Sequence, residues 1–244
     1  MKSGLEFIYM NYISEPSDES LVVLCAENVI SAISDAWSES KTAHIVITGG
    51  RTGFAIARAL DRALFTLVRE NNAFEGSMLH IWFSDERFTD VDDPDRNDST
   101  LIAGFGLSKS HIVFHRVASH GELDNAAKSY ASELMLELGK HPFDAVVLSM
   151  GEDGHIASLF PGLFDPEVAT AAVAVHNSPK LPPLRVSISL ARLANARHIF
   201  VFALGAGKSA ALQSIKKGPV GLLDKSSPNG QLQILTDLPT PGDN

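Results

Sequence analysis

The run Gly151-Glu152-Asp153-Gly154-His155 follows an apolar stretch and precedes Ile156–Gly162. A carboxylate beside an imidazole can fix the ring's orientation and raise its basicity. Asp153 and His155 are therefore candidates for an orienting acid and a general base. Gly151 and Gly154 permit backbone angles that aim both side chains at one point. Metal ligation by the same pair would need further ligands, for which His111 and His115 are the candidates, and we expect no metal. Ser158 stands in "HIASLFPG", outside the G-x-S-x-G pattern of a nucleophile elbow.

Other segments carry groups suited to an anion. In "TGGRTG" (48–53), Gly49 and Gly50 allow a ligand close to the backbone, and the free N–H groups of a helix start suit phosphate. Arg51 adds charge and Thr52 a hydroxyl, but the G-x-G-x-x-G spacing of a dinucleotide site is absent. "SDERF" (84–88) sets Asp85, Glu86 and Arg87 at the end of an apolar run, where a surface salt-bridged cluster is an equal alternative. "SPKLPPLRVSIS" brings Lys180 and Arg185 toward a strand; the Arg185 fork matches phosphate oxygens, although an ordinary edge arginine fits as well. "LGAGKSA" fails as a nucleotide P-loop because Phe202 stands where glycine is required, leaving Lys208 in the first turn of a helix.

These groups need a scaffold, and the sequence alternates strand and helix patterns. Strands are expected over 5–13, 43–48, 77–87, 111–117, 143–151, 171–176, 185–190, 198–205 and 230–237. Helices are expected from Pro16 through residue 37, and over 54–70, 122–138 and 206–218. "TDVDDPDRNDST" (89–100) reads as a surface loop. Continuously apolar strands between helices imply an α/β fold, a single domain over residues 1–244 with a mainly parallel sheet flanked by helices on both faces. In such sheets ligands bind beyond the carboxyl ends of the strands. That rule draws 49–53, 84–87, 151–155 and 205–208 toward one crevice.

Composition bounds the partners. A 45% apolar fraction supports a sizeable core, and a formal charge of −9 argues against nucleic acid or an anionic membrane. An anionic substrate would need a local cationic pocket. The single Cys25 excludes an internal disulfide and a cysteine-rich zinc site, and reads as a core thiol on a helix. "MKSGLEFIYM" has no signal-peptide pattern, and no segment is expected to reach the about 18 apolar residues that span a bilayer. A cytoplasmic protein is the expectation; the oligomeric state stays open, a monomer being sufficient.

The stretch "GEDGHIASLFPG" resembles the signature of the 6-phosphogluconolactonases, in the sugar-phosphate isomerase superfamily that includes glucosamine-6-phosphate deaminases. "TGGRT" (48–52), "SDERF", "RN" (96–97), "SPKLPPLRVSISL" and "GAGK" are similar to the family's other motifs, in order and along nearly the whole chain. Deaminases usually continue Gly-His-Ile-Ala with Phe-Asn-Glu-Pro, whose glutamate belongs to their active site. Here Ser158-Leu159-Phe160-Pro161 follows, the lactonase version, while Ile156 is deaminase-like. Arg51 stands where the family usually has serine, and Gly53 where proline is common.

The resemblance implies a Rossmann-like domain that hydrolyses 6-phospho-D-glucono-1,5-lactone without a cofactor. It implies His155 as the base, oriented by Asp153, and a phosphate held by Arg185, Lys208 and the Gly49–Gly50–Arg51–Thr52 loop. Arg87 would assist with substrate charge or the oxyanion, Asp85 would orient neighbours, and Asn97 falls in the same binding set. The alternatives are a sugar-phosphate isomerase or deaminase, and a non-catalytic sugar-phosphate sensor.

Overall fold

In the computed structural model, which describes residues 10–227 and 231–241, the apolar runs pair side by side in one parallel sheet. The chain begins with β1 (Asn11–Ser14), α1 (Asp18–Ser40), β2 (Thr42–Ile47), α2 (Gly50–Glu70), β3 (Met78–Phe83) and β4 (Asp85–Arg87). It continues through α3 (Asn97–Gly104), β5 (Ile112–His115), α4 (Leu123–Glu137), β6 (Phe143–Ser149) and β7 (Ala172–Val175). The last elements are β8 (Arg185–Ile188), α5 (Leu190–Ala194), β9 (Ala196–Ala203), α6 (Ser209–Gln213), α7 (Pro219–Ser226) and β10 (Gln231–Thr236).

Seven strands form the main sheet in the order β1-β10-β9-β6-β2-β3-β5, every pair parallel. Alternation along these strands divides two cores. Ala43, Ile45 and Ile47 of β2 pack with Leu21, Val29, Ile33 and Trp37 of α1, whereas Val46 faces the opposite core with Tyr130 and Leu134 of α4. Burial on both faces explains why the strands read as continuous apolar runs. A second sheet of three antiparallel strands, β4-β8-β7, stands beside the first.

Several expectations are corrected. The run 77–87 is two strands, broken at Ser84. The Ser84 N–H donates to the Ile47 carbonyl (3.1 Å) at the end of parallel pairing, while its carbonyl accepts from the Ile188 N–H (2.9 Å) in the second sheet. The loop expected over 89–100 ends inside α3, and Arg96, Asn97 and Asp98 are buried rather than on the surface. Arg96 meets Asp98 at 2.6 Å, so opposite charges satisfy one another in the interior. Residues 206–218 are the short helix α6 between two 3₁₀ turns, not one continuous helix. The first expected strand falls partly outside the described residues. Finally, α1 is long and apolar enough to cross a membrane by length and composition. Its apolar side, including Leu21, Cys25, Val29, Ile33 and Trp37, is buried in the fold.

Candidate active site

The carboxyl ends of β2, β3, β6 and β9 lead into the segments that carry the candidate groups. A cavity of about 180 Å³ opens there, lined by Gly49, Gly50, Asp85, Arg87, Asn97, His155, Arg185 and Lys208 among others. Asp153 stands behind His155, with its Oδ1 2.5 Å from the ring Nδ1. That contact assigns the Nδ1 proton to the Asp153 side, leaving Nε2 as the ring's acceptor. The Phe160 ring packs against the imidazole with centroids 4.6 Å apart. Backbone bonds from Gly151 N–H to the His155 carbonyl (2.8 Å) and from Gly154 N–H to the Gly151 carbonyl (3.0 Å) close the loop. A Cβ at position 151 would lie 2.1 Å from the His155 ring and 2.7 Å from Asp153 Oδ1, so the dyad folds over a bare glycine.

Electrostatics suit a base. Burial lowers the His155 pKa, and the Lys180 ammonium adds to that, against the opposing hydrogen bond and charge of Asp153 and the charge of Asp85. The net direction is downward, which leaves the ring neutral at neutral pH. Burial alone would raise the Asp153 carboxyl; the His155 bond and charge, then Lys180, outweigh it and hold the group below its usual value.

Asp85 is buried and commits both oxygens to protein groups: Oδ1 accepts from Ser84 Oγ (3.1 Å) and Oδ2 from Ser158 Oγ (2.6 Å). Ser158 also donates its N–H to Ser187 Oγ (3.2 Å). These bonds hold the turn in which Ala157, a non-glycine residue, takes a left-handed φ of 49°. Asn97 donates its amide to the Asp85 carbonyl (3.0 Å) and packs on Gly49, where a Cβ would lie 2.0 Å from Asn97 Oδ1.

Glu86, which the sequence left unassigned, is the residue that fixes Arg87 and Asn97. Its carboxylate accepts the N–H groups of Arg87 (2.7 Å), Asn97 (2.8 Å) and Asp98 (2.8 Å), capping α3. Burial pushes the Glu86 carboxyl up to about 7, while the N–H bonds and Arg96 pull it back. The three hydrogen bonds have only donors, so the ionised form is the one the geometry satisfies. A fully buried glutamate between two site residues leaves little mark in a single sequence, where it reads as one more charge at a strand end.

The cations differ in what they offer. Arg87 donates from Nη1 to the Asp95 carbonyl, and its Nε is buried without a partner among the described residues. Arg185 is more committed: Nε donates to the Pro182 carbonyl (3.0 Å), and Nη2 to those of Lys180 (3.0 Å) and Leu181 (3.2 Å). Its Nη1, 3.9 Å from Asp85, is the part left for a ligand. Lys208 Nζ approaches Ser149 Oγ at 3.3 Å, and its pKa is lowered by burial first, with Glu152 opposing. Arg51 and Thr52 do not line the dyad's cavity. They line a neighbouring one of about 440 Å³ with Glu152 and Gly205–Lys208, so that Lys208 is common to both.

The chain matches, over residues 16–230, the model of the family described as glucosamine-6-phosphate isomerases/6-phosphogluconolactonase. It belongs to that family. Among family members, the 6-phosphogluconolactonase of Streptomyces coelicolor is 32% identical over 82% of this chain and 80% of its own length. The 6-phosphogluconolactonase of Mycobacterium tuberculosis is 31% identical over 81% of this chain and 82% of its own. The fold is similar to that of 6-phosphogluconolactonase from Trypanosoma cruzi, with a TM-score of 0.78 at 21% identity over 94% of each chain. It is also similar to a monomeric glucosamine-6-phosphate deaminase, with a TM-score of 0.70 at 19% identity over 93% of this chain and 97% of that one. The family's fold thus carries both chemistries, and the side chains must separate them.

Proposed function

We propose that this chain hydrolyses 6-phospho-D-glucono-1,5-lactone to 6-phospho-D-gluconate, the second step of the oxidative pentose phosphate pathway. The observation that carries the reading is His155, backed by Asp153 at 2.5 Å, lining a cavity with Arg87, Arg185 and Lys208. Lys208, the free nitrogens of Arg87 and Arg185, and the Gly49–Gly50 backbone take the phosphate; Arg51 and Thr52 act from the adjoining cavity. His155 Nε2 takes a proton from water as its oxygen attacks the lactone carbonyl carbon. The oxyanion collapses, the carbon–ring-oxygen bond breaks, and the imidazolium returns the proton to the departing ring oxygen. Asp153 holds the ring's tautomer throughout.

Phe160 separates this reading from a deaminase. It stands where the deaminase pattern carries its active-site glutamate, and here an aromatic ring packs on the base instead. The proposal includes a small anionic sugar-phosphate lactone as partner, with no nucleic acid, membrane or cofactor. It also includes a cytoplasmic location for the enzyme.

The test is the decay of freshly generated lactone above its spontaneous rate, with wild type and His155→Ala. Wild type accelerates decay, and the folded variant loses about 10²–10⁴-fold of that acceleration. Equal acceleration by both would remove His155 as the base. No acceleration by folded wild type would reject the lactonase reading and turn attention to ammonia release from glucosamine 6-phosphate.

A further inference from the structure

Lys180 lies in the segment between β7 and β8, outside the group of residues that the base and phosphate roles account for. Its Nζ is 3.4 Å from Asp153 Oδ1 and 3.4 Å from His155 Nδ1. Nδ1 already bears the proton shared with Asp153, so the ammonium has no acceptor on the ring. The contact with Asp153 is an ion pair, and the contact with the imidazole sets charge beside a group that would itself become positive.

The segment is built to deliver this side chain. Ser178 Oγ accepts the Lys180 N–H (3.2 Å) and donates to the Lys180 carbonyl (2.8 Å). Arg185, only 4% exposed, reaches back to the carbonyls of Lys180, Leu181 and Pro182. A buried guanidinium thus fixes the backbone of Lys180, while the lysine's own side chain stays 46% exposed at the rim. Three hydrogen bonds from a buried arginine to one short loop are more order than a solubilising lysine requires.

An aspartate at 2.5 Å, taken alone, favours the imidazolium, which cannot accept a proton from water. Asp85 on β4 pulls the same way, whereas Arg87, Arg185 and Lys208 line the same cavity with positive charge. Of the cations among the described residues, Lys180 is the one in contact with the dyad itself. We propose that Lys180 is a positioning residue of the dyad: it clamps Asp153 and keeps the His155 ring in the unprotonated form that can take water's proton. The inference rests on the general-base reading of His155, and it predicts that charge at position 180, not the shape of the lysine, is what matters.

The test follows the His155 ring by NMR in protein labelled at its histidine imidazoles, the resonance being identified by its loss in His155→Gln. Wild type, Lys180→Met and Lys180→Arg are titrated, together with Lys180→Gln as a second neutral variant. A unit charge at 3.4 Å, even with nearly the full screening of water, corresponds to a shift of about one pH unit. The midpoint therefore rises in Met and Gln by about one unit or more and returns in Arg. An unmoved midpoint in both neutral variants overturns the proposal. The pH profile of kcat/KM for lactone decay is read beside it: the acid limb moves up in Lys180→Met, with a several-fold loss near pH 6 and little near pH 8.5. A uniform loss at every pH would mark a substrate contact and also overturn it. If wild type does not accelerate lactone decay, the functional reading fails, and the NMR midpoints still decide the role of Lys180.

Discussion

Glu86→Gln places the tightest demand on the site's supporting structure. Glu86 is fully buried and accepts three backbone N–H bonds of 2.7–2.8 Å from Arg87, Asn97 and Asp98. Glutamine preserves the side chain's shape and one oxygen, enough for the pair of donors on Oε1. The other oxygen becomes an NH₂ group facing the Asp98 N–H, donor against donor. One charge-assisted bond is lost and two buried donors go unmet, a cost of about 2–4 kcal/mol. For a chain of this size that lowers Tm by about 4–16 °C. Urea unfolding followed by far-UV circular dichroism near pH 8, where a carboxyl pushed up to about 7 is ionised, measures the difference directly. Catalysis changes less than stability, because the retained oxygen still accepts the N–H groups of Arg87 and Asn97, and Asn97 stays set against Gly49. If Glu86→Gln unfolds within about 0.5 kcal/mol of wild type, the carboxylate is not what caps α3, and the argument collapses.

Gly151→Ala puts a methyl group 2.1 Å from the His155 ring, which must rotate away from Asp153. The rate of lactone decay then drops by about 10²–10⁴-fold with the fold retained by circular dichroism, and a variant of full activity would refute the packing argument. Acid stability offers a separate check, on His44. Burial lowers its pKa to about 3, helped by the charges of His80, His115 and Arg192. Its folded value lies below the unfolded one of about 6.5, so the unfolded chain binds more protons between them; stability is full above that window and lost as pH falls through it. The slope from this residue is at most about 1.4 kcal/mol per pH unit. His44→Asn keeps an acceptor for the Trp82 indole and does not titrate, so unfolding free energies from pH 7 to 4 follow a flatter line; parallel lines would exclude His44 as the source.

What the sequence made legible was local. The apolar runs announced buried parallel strands, and the glycines of "GEDGH" announced a loop at a strand end, because each signal is written in neighbouring residues. The break at Ser84 was invisible, since it depends on partners at Ile47 and Ile188, far along the chain. Arg96 and Asp98 read as loop charge because composition cannot show that they neutralise each other in the interior. Arg51 was grouped with Gly49 and Gly50 by adjacency; α2 begins at Gly50, and its first turn carries residues 51 and 52 to the neighbouring cavity. Of the site residues named in advance, Gly49, Gly50, Asp85, Arg87, Asn97, His155, Arg185 and Lys208 meet at one cavity. The groups that hold them there, Glu86 and Ser158, needed the fold to be seen.

The junction at Ser84 has a further consequence. His155 and Asp153 are carried on the loop that follows β6 of the parallel sheet, whereas Asp85, Arg87 and Arg185 are carried by the antiparallel one. The dyad proposed to handle the proton and several of the residues proposed to meet the ligand therefore sit on different supports, joined by bonds that include Ser158 to Asp85 and Ser158 to Ser187. Such a molecule can be retailored: changes along β4 and β8, which line the cavity, alter which ligand is received, while the chemistry on the other support persists. A designer seeking a new lactone specificity would diversify those two strands and leave both Ser158 bonds alone.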